Sequence, residues 1–255
     1  MKTVLVTGSR GFIGKNLLDA LPRQDDIKIT CFNSDDDIPA LNSLLEETDI
    51  IYHLAGVNRP VRLEEFASVN TGLTQTIVSL LSAKHKTPAI VMSSSTQAEL
   101  DNPYGVSKKK AEDILIDYGK ITGALVYIYR LTNVFGKWCQ PNYNSVVATF
   151  CYNIAHDLDI TISDRDKVLE LVYIDDVIDR FLNILDDNEK LIISPYVTIK
   201  RTYKITLGEL ADKIYEFRDI RKTLDIQNFS CDFTKCLYIT YLSYNVCPDK
   251  KDKLV

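Results

Sequence analysis

Residues 7–14 have the sequence Thr7-Gly8-Ser9-Arg10-Gly11-Phe12-Ile13-Gly14. They follow the apolar run 3–6 and lead into a helical pattern of apolar residues over 12–21. Glycines spaced Gly-x-x-Gly-x-x-Gly between a strand and a helix allow backbone amides and the positive end of the helix to approach a pyrophosphate. A turn without a ligand is the alternative, but the place between strand and helix favours a dinucleotide site over residues 8–14.

The composition is that of an ordinary globular protein and limits the classes of partner. The chain has 255 residues, of which 45% are hydrophobic and 25% charged, and its net charge is −5. An acidic chain disfavours nucleic acid as a partner. No apolar run approaches the roughly 20 residues that span a bilayer, and no signal-peptide pattern is visible. We therefore expect a cytoplasmic protein without a membrane partner.

The six cysteines do not indicate a disulfide framework or a metal centre. They contain no Cys-x-x-Cys pair, and in a cytoplasmic chain of this size we expect them to be reduced and structural. Cys231 and Cys236 are close in sequence, but none of the three histidines lies near them. The sequence therefore predicts no metal.

Apolar runs alternate with helical patterns over the first half of the chain. Strands are predicted at 27–32, 49–54, 88–92 and 125–130, and helices at 38–47, 63–84 and 103–122. This alternation predicts an α/β fold with a doubly wound parallel sheet of the Rossmann type. Ligands then bind beyond the carboxyl ends of the strands. The helices at 63–84 and 103–122 are amphipathic and are candidates for pairing in a homodimer.

The alternation of strands and helices becomes less regular after Gly136. Helices are predicted near 144–156, 175–186 and 206–218, with short strands between them, and the charged tail 248–253 is expected to fray. We interpret residues 1–135 as a dinucleotide-binding domain. Residues 136–255 then form a smaller, mixed substrate-binding lobe that is interleaved with the first domain.

A tyrosine and a lysine four residues apart carry the predicted chemistry. Asn102 and Pro103 are typical of a helix start, which places Tyr104 and Lys108 on one helical face. A nearby ammonium group is expected to lower the pKa of the phenol and make it a usable proton donor. Residues 196–200 have the same Tyr-x-x-x-Lys spacing, but their composition favours a strand, in which the two side chains stand about 13 Å apart.

Three serines lie between the fourth strand and that helix. A hydroxyl at the carboxyl end of a strand is suited to hold a substrate oxygen beside Tyr104. We favour Ser95 for this role, with Ser94 as the next candidate, and loop capping is the alternative for both.

Together, the glycine motif, the serine after strand four and Tyr104-x-x-x-Lys108 resemble the extended short-chain dehydrogenase/reductases. Residues 130–136 (Arg-Leu-Thr-Asn-Val-Phe-Gly) look like the segment that follows strand five in that family, and 172–177 like its later structural motif. Residues 53–60, the short Ser95-to-Tyr104 loop and residues 136–145 resemble a narrower group. These are the capsular-polysaccharide UDP-2-acetamido-2,6-dideoxy-L-talose reductases of the UDP-N-acetyl-L-fucosamine pathway.

This resemblance implies an NADPH-dependent reduction of a 4-keto-6-deoxy UDP-N-acetylhexosamine. In that reaction Tyr104 protonates the oxygen of the keto group as it is reduced, and Ser95 donates a hydrogen bond to the same oxygen. Lys108 lowers the pKa of Tyr104 and holds the nicotinamide ribose. Members of the group commonly carry a C-terminal cupin domain with epimerase activity. We expect this chain to correspond to the reductase half, with a separate cupin-type epimerase as a candidate partner.

The remaining site predictions concern the cofactor and the UDP-sugar. Asn33 follows strand two where NAD-preferring sites usually place an acidic residue, and Arg10 is suited to bind a 2′-phosphate, so NADP is favoured and NAD is the alternative. The family's usual basic residue after strand two is missing. The predicted cofactor contacts also include the end of strand three (Leu54, Ala55 and Gly56), and the predicted substrate contacts are Asn133, Lys137 and Trp138. For Trp138, packing in the core or in the lobe is favoured over this contact, and His53 is expected to be a buried core histidine.

Three other functions compete with the reductase hypothesis. A dehydratase needs an acid and a base where Thr96 and Gln97 stand, and is disfavoured. A nucleotide-sugar 4-epimerase with tightly bound NAD uses the same three catalytic residues. A non-catalytic nucleotide-binding regulator commonly lacks the Tyr-Lys pair that this chain keeps.

Overall fold

The sheet and its helices are described by a computed structural model of the chain, which covers residues 1–185, 194–223 and 231–245. Within these ranges the strands are β1 (Lys2–Thr7), β2 (Ile27–Phe32), β3 (Ile50–His53), β4 (Ala89–Ser95), β5 (Val126–Leu131), β6 (Asn133–Phe135), β7 (Val168–Tyr173), β8 (Tyr196–Val197) and β9 (Tyr203–Thr206). The α-helices are α1 (Phe12–Ala20), α2 (Ile38–Leu44), α3 (Leu73–Ala83), α4 (Pro103–Thr122), α5 (Val146–Ala155), α6 (Ile174–Leu182), α7 (Leu207–Thr223) and α8 (Asp232–Tyr244). The predicted frayed tail and Cys247 lie outside the described residues.

Two compact units make up the described chain, and each is treated by itself. The first comprises Met1–Thr132 and Asp175–Lys200, and the second comprises Asn133–Ile174 and Arg201–Val255. The assignment of the dinucleotide to residues 1–135 and of the substrate to 136–255 stays a prediction.

A six-stranded parallel sheet with the order β2-β1-β3-β4-β5-β8 forms the centre of the first unit. The chain moves outward from β1 to β2 and then returns to the other side of β1 to form β3. This reversal creates the crevice at which doubly wound sheets bind ligands. The predicted fold class is therefore confirmed.

Helices cover both faces of this sheet because its strands are apolar on both sides. One face packs against α2, α3 and α4, where alternate strand residues such as Leu5, Ile51 and Met92 join Leu115 in a single buried cluster. On the other face the Phe181 ring of α6 lies 5.7 Å from that of Tyr52 and 4.9 Å from that of Tyr129, measured between centroids. Period-two burial of this kind fixes the register of each strand.

A smaller mixed sheet characterises the second unit. Its order is β6-β7-β9, with β6 and β7 parallel and β7 and β9 antiparallel. Phe135 packs against Tyr173, Tyr203 and Phe233, with ring centroids 5.3 to 6.4 Å apart. Aromatic contacts of this geometry contribute beyond the area that they bury.

The sequence located most elements but not all of their limits. The predicted bounds of β2 and α4 are confirmed, whereas β4 runs on to Ser95 rather than ending near Met92. The predicted helix over 63–84 consists of a π-helical segment, Phe66–Gly72, followed by α3. Strand β8 is limited to Tyr196–Val197, and α8 was not predicted. Across the described residues, no helix is both long and apolar enough to cross a bilayer.

Candidate active site

The glycine motif forms the turn between β1 and α1. Gly8 has φ +68°, and a side chain there would begin 2.7 Å from the backbone of Ala55. Only glycine satisfies both conditions without strain. Helix α1 starts after Gly11, which provides no side-chain cap. The first amides of α1 are thus left for another acceptor, as at anion-binding helix starts.

Asn33 braces this turn from the end of β2. Its side-chain oxygen accepts hydrogen bonds from the Ser9 hydroxyl (3.0 Å) and from the Arg10 amide (3.3 Å). The structure therefore brings together the predicted cofactor residues on either side of the crevice. Through these two hydrogen bonds Asn33 holds the glycine turn in shape.

Arg10 is paired with an acidic side chain that the sequence analysis did not connect to it. Its Nη1 atom donates to both carboxylate oxygens of Asp35, at 2.8 and 2.9 Å. The guanidinium lowers the pKa of Asp35 below its ordinary value. Both side chains are exposed, so the pair is weak and open to competition by a bound anion.

The end of β3 forms the opposite wall. The Ala55 amide donates to the Thr7 hydroxyl at 3.2 Å, and that hydroxyl is also bonded to a ring nitrogen of His53. The other ring nitrogen of His53 is bonded to Thr74, and burial lowers the pKa of this histidine to about 3. The prediction of a satisfied core histidine is confirmed.

Tyr104 lies at the start of α4, beside the end of β4. The Asn102 side chain caps the helix by accepting from the Gly105 amide at 2.8 Å, as the sequence predicted. Any side chain at Gly105 would overlap the carbonyl of Gln97. This close approach brings the end of β4 to the start of α4, where the side chain of Ser95 lies near enough to Tyr104 to lower the pKa of its phenol.

The protonation state of Tyr104 differs from the prediction. Burial raises the pKa of the phenol, and the nearby Ser95 side chain only partly offsets this effect. The predicted lowering by Lys108 is wrong for this structure, because the ammonium group points to the carbonyl of Ser93, at 3.1 Å. Tyr104 therefore keeps its proton at neutral pH, as a proton donor must.

Lys108 is buried one helical turn after Tyr104. Its Nζ atom lies 3.0 Å from where a side chain at Gly56 would begin, so it adjoins the predicted cofactor wall. Burial lowers the pKa of Lys108 to about 8, against the effect of Glu112, which raises it. A lysine with this pKa carries its charge at neutral pH and loses it in mild alkali.

Ser94 does not take the substrate role that the sequence assigned to it as second choice. Its side chain points to the part of α4 that lies two turns after Tyr104. There its hydroxyl is buried and donates to Glu112. Ser95, rather than Ser94, is the hydroxyl at Tyr104.

The predicted substrate residues of the second unit form their own contacts. The Asn133 amide donates to the Glu170 carbonyl at 3.0 Å. Trp138 is 46% exposed and has φ +67°, and the Lys137 ammonium lies 4.3 Å from the centre of its ring. The expectation that Trp138 packs in the core is therefore wrong, and packing within the lobe or on a ligand stays a prediction. An exposed ring in a strained backbone is suited to stack on a planar ligand.

Sequence reasoning missed two buried polar residues beside Lys108. Asn70, from the π-helical segment, accepts from the Val57 amide (2.8 Å) and donates to the Val57 carbonyl and the Ser107 hydroxyl. Glu112 lies on α4 with its side chain fully buried. The available signals were a polar residue inside an apolar helical pattern and the four-residue step from Lys108 to Glu112.

The described residues contain no group of three or more His, Cys, Asp or Glu side chains that is arranged to hold a metal ion.

Comparison with known proteins agrees with this geometry. Residues 4–194 match the NAD dependent epimerase/dehydratase family. Over 241 residues the chain is 43% identical to a UDP-2-acetamido-2,6-beta-L-arabino-hexul-4-ose reductase of Pseudomonas aeruginosa, covering 94% of this chain and 64% of the relative. The capsular polysaccharide assembling protein CapF of Staphylococcus aureus is 41% identical, with a TM-score of 0.87, over 96% of this chain and 66% of that one.

A more distant structure shows the same fold. The UDP-glucuronic acid 4-epimerase of Bacillus cereus, solved with NAD, has a TM-score of 0.80 at 19% identity. The aligned region covers 95% of this chain and 98% of the epimerase. By contrast, the chain spans about two thirds of the Pseudomonas and Staphylococcus proteins.

Proposed function

The chain belongs to the NAD dependent epimerase/dehydratase family, and we propose that it uses NADPH to reduce the 4-keto group of a 6-deoxy UDP-N-acetylhexosamine. The product would be a precursor of a capsular or surface polysaccharide. The observation that carries this proposal is the Tyr104 phenol beside the Ser95 side chain, with the buried Lys108 one helical turn later. The Pseudomonas relative, a UDP-sugar 4-keto reductase by name, supports the substrate class.

The residues around the crevice fit a nicotinamide dinucleotide, the cofactor class of the family. The turn at Gly8 has no room for a side chain, and α1 begins without a side-chain cap. These features suit a pyrophosphate, which needs close backbone approach and unpaired amides. Lys108 and Gly56 adjoin each other at the other end of the site, where we place the nicotinamide ribose.

Each catalytic side chain has a distinct task in the proposed reaction. When bound, the reduced nicotinamide supplies the hydride for the keto carbon. Tyr104 donates its proton to the keto oxygen, and Ser95 donates a hydrogen bond to that oxygen. The charged Lys108, which adjoins Gly56, donates a hydrogen bond to the nicotinamide ribose. Because this task needs the lysine charged, we expect reduction to slow at alkaline pH.

NADP is the cofactor that we propose, with Arg10 as the group that recognises its 2′-phosphate. In the structure the guanidinium is already held beside the turn by Asp35. A phosphate carries more charge than a carboxylate and binds a guanidinium with two parallel hydrogen bonds. We therefore expect the 2′-phosphate to displace Asp35, whereas NAD offers no such competitor.

The UDP-sugar is the substrate for which the second unit supplies contacts in this proposal. Trp138 presents an exposed ring for uracil or sugar, and Asn133 and Lys137 supply polar groups. A homodimer through α3 and α4, and a separate cupin-type epimerase that acts with this chain, are further parts of the proposal.

The decisive experiment uses the 4-keto sugar named in the Pseudomonas relative. The purified chain is incubated with that UDP-sugar and NADPH while the absorbance of reduced nicotinamide is followed. A reductase consumes one NADPH per product molecule, whereas a 4-epimerase consumes none net. Turnover of the sugar without loss of NADPH would refute the proposal and favour the epimerase.

A further inference from the structure

Three consecutive serines of β4 contact three residues of α4 that are spaced four apart. The side chain of Ser95 lies beside Tyr104, and the carbonyl of Ser93 accepts a hydrogen bond from Lys108. The third contact joins the hydroxyl of Ser94 to the carboxylate of Glu112, at 2.5 Å. Strand and helix are thus connected by polar contacts at three successive turns of α4, and Glu112 makes the contact farthest from the proposed chemistry.

Glu112 is fully buried and well satisfied. Besides Ser94, its carboxylate accepts from Arg130 Nε (3.0 Å to one oxygen), from Arg130 Nη2 (2.6 Å to the other) and from the Tyr196 hydroxyl (3.2 Å). Arg130 stands opposite Ser94 in the parallel register of β4 and β5. Ser94 of β4 and Arg130 of β5, which are opposite each other in the sheet, therefore both bind the carboxylate of Glu112.

We propose that Glu112 is a positioning residue for the proton donor. Held by Ser94 and Arg130, its carboxylate fixes where α4 lies along β4, and this placement brings Tyr104 to Ser95 and Lys108 to Ser93. The inference rests on the function proposed above and assigns Glu112 no contact with substrate or cofactor. A buried ion pair is a weak source of stability compared with apolar packing, so its presence one turn from Lys108 favours a role in the site.

Glu112 also supports the charged state of Lys108. The titratable and charged groups that face this part of α4 are Tyr104 and Glu112 on the helix, His53 from β3, Arg130 from β5 and Tyr196 from β8. His53 is neutral because of its burial, and Arg130 is bound to the carboxylate. Loss of the Glu112 charge therefore leaves burial to favour the neutral amine of Lys108.

The test compares Glu112→Gln with Asp113→Asn in the full chain. Asp113 is the next residue of α4, and its carboxylate forms an exposed ion pair with Lys109. For Glu112→Gln we expect kcat to fall by about tenfold to a hundredfold, a part of what a positioned proton donor contributes. We expect KM for both substrates to stay nearly constant and the alkaline limb of the pH profile to move to lower pH. Asp113→Asn should match the unmodified chain.

A second measurement does not depend on activity. In protein labelled with ¹⁵N at the lysine side chains, the Lys108 signal is assigned by its loss in Lys108→Met and then titrated. Glu112→Gln should lower the pKa of Lys108, and Glu112→Asp should restore part of the difference. If the unmodified chain reduces no UDP-sugar, the proposed function fails, whereas this titration still decides the role of Glu112.

Two outcomes would overturn the inference. One is a Glu112→Gln protein that is less stable but has the kcat, the pH profile and the Lys108 titration of the unmodified chain, which would show a merely structural role. The other concerns Ser94→Ala, the variant to use if Glu112→Gln does not fold. Ser94→Ala should shift the same readouts in the same direction by less, and unchanged values would refute the inference.

Discussion

Replacing Tyr104 by phenylalanine removes one oxygen atom and leaves the aromatic ring in place. The ring packs against Phe66, with centroids 5.8 Å apart, and this contact is unaffected by the substitution. The hydroxyl lies beside the Ser95 side chain, and even a hydrogen bond between them would contribute only about 0.5–1.5 kcal/mol to stability. We therefore expect Tyr104→Phe to fold and to melt within a few degrees of the unmodified chain.

The catalytic loss should be much larger than the loss of stability. A positioned proton donor contributes about 10²–10⁴ in rate, which corresponds to about 2.7–5.4 kcal/mol. Because Ser95 can still hold the keto oxygen, we expect kcat to fall by this factor while the affinity for NADPH stays the same. Steady-state reduction of the 4-keto UDP-sugar, with cofactor titration by fluorescence, measures both quantities.

The same helix offers a matched control. Tyr118 has a buried ring, and its hydroxyl donates to the Lys86 carbonyl at 2.7 Å, far along α4 from Tyr104. Tyr118→Phe should cost similar stability and leave kcat unchanged. Near-normal turnover by Tyr104→Phe, or an equal loss of turnover in Tyr118→Phe, would refute the assignment of the proton donor.

Three further predictions concern the cofactor crevice and its support. Gly8→Ala should weaken binding of NADPH by about tenfold or more. The φ of +68° costs a non-glycine residue about 1–2 kcal/mol, and the added methyl group meets the backbone of Ala55. An unchanged Kd for NADPH, measured by calorimetry, would contradict this prediction. Arg10→Ala should lower the affinity for NADPH relative to NADH by about tenfold, as expected for a lost charged hydrogen bond, whereas Asp35→Asn should raise this ratio. The same ratio of NADPH to NADH affinity in both variants and in the unmodified chain would favour NAD as the cofactor. His53 has a pKa of about 3 in the folded chain against about 6.5 when unfolded, so the free energy of unfolding should fall as pH decreases from 6.5 towards 3, by up to about 1.4 kcal/mol per unit from this group. His53→Gln should remove that part of the slope in urea titrations, and an unchanged slope would show that the histidine does not contribute.

The elements with strong local signals were predictable from the sequence. Asn102 and Pro103 marked the start of α4, and the structure confirms both the cap and the full extent of that helix. The glycine turn was recognisable because the required spacing lies between a strand and a helix. In both cases the information is carried by residues within a few positions of one another.

Features that depend on distant contacts were not predictable. A serine run favours a turn, but pairing with β5 up to Leu131 extends β4 through Ser95. Helix α8 has β-branched and aromatic residues and no side-chain cap at Cys231, although Phe233, Leu237 and Tyr241 have helical spacing. The pKa of Tyr104 depends on burial, and a four-residue spacing cannot reveal burial.

The contact between Gly105 and the carbonyl of Gln97 has a consequence for protein engineering. The 3₁₀ turn Thr96–Glu99 is in direct contact with the first turn of α4 at Gly105. The segment that connects β4 to α4 therefore has a length that cannot change without separating this contact. One inserted residue adds up to about 3.8 Å of chain, more than the length of a hydrogen bond. Insertion libraries should therefore spare residues 96–105, while the exposed neighbour Val106 remains open to substitution.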